Sequence, residues 1–239
     1  LQSAHVAPIA LVFLSNLLRH DAQETFRYFA SQGVSVRVIS GDNPITVAQV
    51  ATRAGIENAD RYVDATTLST EQDFEEAVKY YTVFGRVTPE QKRYLVRAFQ
   101  KQGHTVAMTG DGVNDVLALK DANCGIAMAS GSQAASQVAQ IVLLNSQFSA
   151  MPAIVAEGRR VINNITRAAS LFLVKNIFSL ILSVLLLIFP FAYPFAPIQL
   201  TLVSSLTIGL PSFVLALQPS RDRVSGRFLR NVIMRALPG

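Results

Sequence analysis

Hydrophobic positions along this chain follow two different rules. Through residue 150 short apolar runs alternate with amphipathic stretches, and beyond it the apolar residues gather into two long blocks. Ile9–Leu14 is a continuous apolar run, as a strand buried on both faces requires. Asp21–Gln32 has helical spacing, with Phe26, Phe29 and Ala30 on one side and Gly33 as its stop. Val34, Val36 and Val38 alternate into Ile39, which predicts a second strand ending at Ser40-Gly41-Asp42. Asn43 then caps a helix that has Pro44 at its first position and Gly55 at its close. Residues 56–78 are polar and predict only the start of a helix over Glu71–Lys79, with the next strand at Tyr81–Phe84.

Thr88, followed by Pro89 and Gln91, predicts a capping box for a helix ending near Gly103. Thr105–Met108 reads as a strand entering Gly110-Asp111-Gly112, with a short helix after it to Asp121. Strands at Gly125–Met128 and Ile141–Leu144 flank one more helix. Strands alternating with helices of this length imply right-handed crossovers and a single parallel, Rossmann-like α/β sheet. Chemistry in such sheets sits beyond the carboxyl ends of the strands. Ser40–Asp42, Gly85–Arg86 and Gly110–Asp115 all occupy that position, so three polar loops are expected to converge at one edge.

Past residue 150 the texture changes. Glu157–Thr166 is amphipathic and basic, and it runs without a breaker into the apolar stretch Ala168–Phe189. At about 1.5 Å per residue that stretch spans roughly 30 Å, the thickness of a bilayer core. Pro190, Pro194 and Pro197 make a turn without charge, and Ile198–Leu217 is a second span. The expected organisation is an α/β domain over 1–148, a stalk helix over 149–167, a transmembrane hairpin over 168–217 (spans 168–189 and 198–217) and a basic segment over 218–239. A buried hairpin of a soluble protein would need something to cover two such runs and their uncharged turn.

Composition sharpens this division. Half of the 239 residues are hydrophobic, only 15% are charged, and the formal net charge is +5. Arg159, Arg160, Arg167 and Lys175 precede or enter the first span, and Arg221, Arg223, Arg227, Arg230 and Arg235 follow the second. Placement on both outer flanks predicts that both ends, residues 1–167 and 218–239, face the cytoplasm. No nucleic-acid partner is expected, since no recognition motif or basic helix accompanies the charge. Cys124 is the single cysteine, which excludes an intrachain disulfide. The ends, Leu1-Gln2-Ser3 and Leu237-Pro238-Gly239, are expected to be cut points within a longer polypeptide.

The segment MTGDGVNDVLALKDANCGIAM, residues 108–128, carries the sharpest chemistry. Asp111 and Asp115 lie four apart across a glycine-containing turn into a helix, which lets backbone approach a phosphate while a carboxylate holds Mg²⁺ through oxygen. Alone, such a turn is equally a solvated loop or the metal site of another phosphatase. Ser40-Gly41-Asp42 offers a hydroxyl and N–H donors, and Lys92 in RVTPEQK offers a fixed cation. Donors, a cation and a metal holder are the parts a phosphoryl-transfer site needs.

The order SGDN, FGRVTPEQK, MTGDGVNDVLALKDA, EGRRVINNI and then a transmembrane hairpin resembles the P-type ATPases over nearly the whole chain. The likeness is nearest to bacterial cation pumps of the calcium-type branch. It implies a haloacid-dehalogenase-like phosphorylation domain, a stalk, and the family's fifth and sixth transmembrane helices. It implies that Asp111 binds Mg²⁺, that Asn114 and Asp115 hold the phosphoryl site together, and that Lys92 neutralises phosphoryl oxygens to which Ser40 and Gly41 donate. Asp42 and Arg86 would then lie near the ribose of ATP. The phosphoryl-accepting aspartate of the family's DKTGT motif and the nucleotide-binding domain are expected upstream, in the missing N-terminal part, so this stretch should not hydrolyse ATP by itself. Within Ser15–Ala22 the family's usual aspartate is Asn16, with Arg19 retained, which weakens a hinge support and not the metal site.

In the spans, the resemblance matches Asn176 to a cation-ligating asparagine of calcium pumps, and Ser204, Ser205 and Thr207 add neutral oxygens. Pro211, after Gly209, removes a helical hydrogen bond and can free carbonyls to line a site. Positions acidic in calcium pumps read Ser179 and Ile208, so a divalent ion would need carboxylates from other spans. Lys175 either snorkels to the interface or belongs to the site. Calcium is the first choice of transported cation by resemblance. The alternatives are a lipid-flipping pump, which the Lys175-Asn176 pair also resembles, a soluble phosphatase of the same fold, and a non-catalytic membrane scaffold.

Overall fold

A computed structural model of the chain describes residues 9–10, 18–189, 194–217, 230 and 232–234. The expected strand at Ile9–Leu14, apart from its first two residues, Asn16, Pro190 and most of the basic stretch after 217 lie outside the described residues. The chain divides into two compact units, Leu1–Pro152 and Ala153–Gly239.

In the first unit helices and strands alternate as α1 (Ala22–Ser31), β1 (Val38–Ile39), α2 (Pro44–Arg53), β2 (Tyr62–Asp64), α3 (Glu71–Tyr80) and β3 (Val83–Gly85). They continue as α4 (Pro89–Lys101), β4 (Ala107–Gly110), α5 (Val116–Asp121), β5 (Cys124–Met128), α6 (Gln133–Val138) and β6 (Ile141–Leu143). Every pairing among the described residues is parallel. The expected parallel α/β architecture is present, and the strands among the described residues form two three-stranded ladders, ordered β1-β3-β2 and β4-β5-β6.

Helix α4 links the two halves through their cores. Its Leu95 and Ala98 pack with Phe74, Val78 and Phe84 around the first sheet, and its Val96 packs with Met108, Leu119 and Ala127 around the second. A third cluster sets Val47, Ala48 and Ala51 of α2 against Val83 of the central strand β3. β3 is fully buried over its length, as a strand covered on both faces must be.

Local signals set the helix starts. The Asn43 side chain accepts from the Ile45 N–H at 3.0 Å, directly before Pro44 at the first turn of α2. Thr88 and Gln91 form the reciprocal box at the start of α4, at 3.3 and 3.0 Å. Thr88→Ala is expected to cost about 1 kcal/mol, seen as faster amide exchange confined to the first turn of α4. A second box, Thr70 with Asp73, starts α3.

After β6 the chain is pinned before it enters the long helix α7 (Met151–Ile188). Arg19 donates to the Ser146 carbonyl at 2.8 Å, the Ser146 hydroxyl accepts from the Ser130 N–H at 2.9 Å, and the Phe148 ring packs near Phe26 and Phe29.

In the second unit α7 continues unbroken for the expected stalk and first span, and α8 (Pro197–Ser204) and α9 (Leu210–Leu217) carry the second, joined by a π-helical turn at Ser205–Gly209. Among the described residues two helices, Phe148–Ile188 and Ile198–Leu215, are long and apolar enough to cross a membrane. Their large apolar side chains stand exposed, Leu187 and Phe213 among them, so these faces lack an apolar cover among the described residues. Phe178 and Phe195 bring the two stretches into ring contact at 6.5 Å.

Candidate functional site

The turn after β4 is built around Asp115. Its carboxylate is buried, accepts from the Gly112 N–H at 3.1 Å through Oδ2, and receives the Lys92 ammonium at 2.6 Å through Oδ1. Lys92 lies in the first turns of α4, so the capped start of that helix sets where its charge can reach. The side chains of this pair are 14% and 9% exposed, an arrangement that holds the ammonium in one place. Gly110 lets Asp115 sit there, because a Cβ at that position would lie 2.6 Å from the Asp115 Cβ and 2.7 Å from its Oδ2.

Asp111 is exposed at the mouth of the same turn, and Asn114 is exposed on the 3-10 turn that follows. The Asp111 carbonyl accepts from the Ser132 N–H at 2.6 Å, and a Cβ on Gly131 would collide with the Asp111 backbone. The loop after β5 therefore braces the residue expected to hold the metal. A hard cation such as Mg²⁺ takes one or two carboxylates together with phosphate oxygens and water. An exposed Asp111 carboxylate fits that demand, and no cluster of three or more His, Cys, Asp or Glu side chains able to hold a metal occurs among the described residues.

The Ser40–Asp42 loop joins this group through the backbone that precedes α4. The Val87 N–H donates to the Ser40 carbonyl at 3.0 Å and the Arg86 N–H to the Asp42 carbonyl at 2.8 Å. Thr88 then begins the helix that carries Lys92. Ser40 Oγ donates to Asp42 Oδ2 at 3.3 Å and accepts from the Asp42 N–H at 3.2 Å, both long bonds that an incoming oxygen can replace. Gly41 faces open space, since a Cβ added there would meet nothing nearer than the Val87 carbonyl oxygen at 3.9 Å. Ser40, Lys92 and Asp111 are thus tied by one continuous series of contacts running Ser40, Val87, Thr88, Lys92, Asp115, Gly112.

Several polar partners escaped the reading of the sequence. Arg86 does not stand alone, since its guanidinium pairs with Asp64 at 2.7 Å. The Thr66 hydroxyl and then its amide, with smaller help from Arg86, hold the Asp64 carboxyl below the usual carboxylate range. Farther along, Arg93 and Arg97 both donate to Asp121 Oδ2 at 2.7 Å, fastening α4 to α5. Burial pushes the Asp121 carboxyl up, and the bonds from Arg93 and Arg97 outweigh that and bring it below its ordinary value. The only signal for Asp64 was the β-prone Tyr62-Val63 pair in a polar stretch, and none marked Gly131 beyond a serine-flanked glycine after a strand.

In the spans, the Ser204 hydroxyl donates to the Leu200 carbonyl at 2.6 Å and the Thr207 hydroxyl to the Val203 carbonyl at 2.7 Å, each one turn back on its own helix. Asn176 is exposed on α7 and makes no hydrogen bond to either among the described residues. The π-helical turn ends at Gly209, two residues before Pro211, and the buried Ser212 Oγ lacks a hydrogen-bond partner among the described residues. π turns of this kind recur at functional sites.

A family model for haloacid dehalogenase-like hydrolases matches residues 2–123. The chain is 50% identical over 244 residues to the calcium-transporting ATPase CtpE of Mycobacterium tuberculosis, covering 98% of this chain and 30% of that protein. It is 42% identical over 241 residues to a probable cation-transporting ATPase of Streptococcus pneumoniae, covering 98% of this chain and 31% of the relative. The chain therefore spans less than a third of the length of these relatives. A crystal structure of a zinc-transporting PIB-type ATPase in its E2.Pi state shares the fold, with a TM-score of 0.59, 22% identity, and coverage of 92% of this chain and 28% of the other.

Proposed function

The chain belongs to the P-type ATPases, within the haloacid dehalogenase-like hydrolases, and from that premise we propose that it is the magnesium- and phosphate-handling part and one membrane hairpin of an ATP-driven cation pump. The observation that carries this reading is the buried Lys92–Asp115 pair placed beside the exposed Asp111 and tied to the Ser40 loop. The phosphoryl-accepting aspartate and the nucleotide-binding domain belong to the remainder of the polypeptide. Residues 1–167 and 218–239 face the cytoplasm, and 168–189 and 198–217 cross the bilayer.

In this reading Asp111 holds Mg²⁺, which when bound draws charge from the phosphoryl oxygens. Lys92, held in place by Asp115, presents its ammonium to the same oxygens, and its pairing means that the site gains a positioned donor more than a net charge. Ser40 exchanges its long bond to Asp42 for a phosphoryl oxygen, and the Gly41 N–H donates alongside it. Asn114 and Asp115 keep the turn closed around the metal aspartate. Asp42 and Arg86 meet the ribose of ATP.

Calcium is the proposed cargo, supported by the names of the relatives at 49–50% identity. Asn176, Ser204 and Thr207 supply neutral oxygens, with charge compensation coming from spans outside this chain. The test uses the full-length protein in membranes. Wild type should form an acid-stable phosphoenzyme from ATP only with Mg²⁺, and Asp111→Asn should abolish it. ATPase stimulation by Ca²⁺, weakened by Asn176→Ala, supports the cargo, whereas stimulation by phospholipid and by no ion would replace the pump with a flippase. Phosphoenzyme at wild-type levels in Asp111→Asn would end the catalytic reading.

A further inference from the structure

The carboxyl edge of the first sheet carries a carboxylate that the phosphoryl chemistry above does not use. Asp64 ends β2, Arg86 directly follows β3, and Ser40-Gly41-Asp42 directly follows β1. Because β3 is the central strand, Arg86 leaves the sheet between the ends of its two neighbours. Ligands of open parallel sheets bind at this edge.

Arg86 is held there at both of its ends. Its backbone is left-handed, with φ +51°, a conformation that a residue bearing a Cβ adopts only when its surroundings enforce it. The enforcing bonds are Arg86 N–H to the Asp42 carbonyl and Val87 N–H to the Ser40 carbonyl. At the other end Nη1 donates to Asp64 Oδ2 at 2.7 Å. Asp64 is itself immobilised, since its Oδ1 accepts from the Thr66 N–H at 3.0 Å and the Thr66 hydroxyl at 2.7 Å. Turning the carboxylate would break three bonds at once.

A pair this exposed, at 51% and 24% for the two side chains, adds little to stability. Its geometry is nevertheless more constrained than a surface pair needs. A guanidinium has five N–H donors, and the bond to Asp64 engages one of them. The other donors sit on a side chain that is half exposed at the ligand-binding edge.

We propose that Asp64 is a positioning residue for ATP, holding the Arg86 guanidinium at the carboxyl ends of β1 and β3 so that its remaining donors meet oxygen atoms of the nucleotide. This rests on the aspartyl-phosphate reading above and adds to it the residue that orients the nucleotide contact. Asp64 acts through Arg86 and takes no part in the phosphoryl transfer itself. Being held below the usual carboxylate range by the Thr66 hydroxyl and amide, it keeps its charge throughout the neutral range.

The experiment separates nucleotide from phosphate. In the full-length membrane protein, phosphoenzyme is measured twice: against ATP concentration, and against radiolabelled inorganic phosphate without nucleotide. Asp64→Ala should raise the ATP concentration at half-maximal phosphorylation about five-fold, the ceiling for an exposed pair, and leave the midpoint for inorganic phosphate in place. In an Arg86→Ala background the same substitution should add nothing, because its effect passes through Arg86. Equal shifts for both substrates, or full additivity with Arg86→Ala, would make Asp64 a structural residue only and overturn the proposal. If the unaltered protein forms no phosphoenzyme from either substrate, the reading of the whole site fails and this proposal goes with it.

Discussion

Lys92→Met is expected to be the most damaging single change in the first unit, for stability and chemistry together. The substitution keeps an apolar stem of similar reach, with sulfur in place of one methylene, and removes the ammonium. Asp115 is then left as a buried carboxylate, 6% exposed, with the Gly112 N–H as its one remaining donor. Breaking a buried pair from one side costs about 3–5 kcal/mol, because the surviving charge has lost both water and partner. Amide exchange over the turn after β4 and the start of α5 should then quicken by at least about two orders of magnitude, and phosphoenzyme formation from ATP should be lost. Asp115→Asn is the informative comparison. It keeps an oxygen for the Gly112 N–H, and the freed Lys92 can reach toward solvent, so its stability cost should be about 1–2 kcal/mol. Equal costs for the two variants would mean that the pair is not desolvated as its burial indicates.

Gly85→Ala is the second. Gly85 is the last residue of the central strand β3, and a Cβ there would overlap the Pro44 backbone, lying 2.5 Å from its nitrogen and 2.6 Å from its Cβ. Neither side can give way easily. β3 is hydrogen-bonded on both edges, and Pro44 begins α2, whose Val47, Ala48 and Ala51 pack on Val83 of the same strand. Overpacking of this kind costs about 1–3 kcal/mol when flexible side chains can move, and here the obstacle is backbone, which places the expectation at the upper end. The strain should also displace Ser40-Gly41-Asp42, which lies immediately before Asn43 and Pro44. Phosphorylation by inorganic phosphate should therefore weaken along with thermal stability. A variant with wild-type thermal stability would show that α2 can shift away without penalty.

What was readable along the chain shares a common range. The caps at Asn43 and Thr88 form between residues two or three apart, so their residue types alone announce them, and both are present. The loops at Ser40–Asp42 and Gly110–Asp115 follow strands as their glycines and carboxylates foretold, with β4 lying two residues later than the apolar run suggested. Val34–Ile39 illustrates the limit of period-two alternation. Only Val38 and Ile39 enter the sheet, because the ladder extends only as far as the neighbouring strand β3 offers partners. The short strand Tyr62–Asp64 stayed hidden in a polar stretch, since three residues carry too little pattern to separate a strand from a loop.

Taken by itself, the sequence determined the alternation of strands and helices, the two long apolar helices, and the polar residues at strand ends, since each of these follows from neighbours a few residues apart. Tertiary structure alone decided that Lys92 closes on Asp115 across 23 residues, that Asp64 holds Arg86 across 22, and that Gly131 braces Asp111. It also decided the order in which the described strands pair, β1-β3-β2 and β4-β5-β6. The physical reason is that ion pairs, close backbone approaches and strand order depend on how whole elements pack, and packing joins residues whose separation along the chain bears no mark of their meeting.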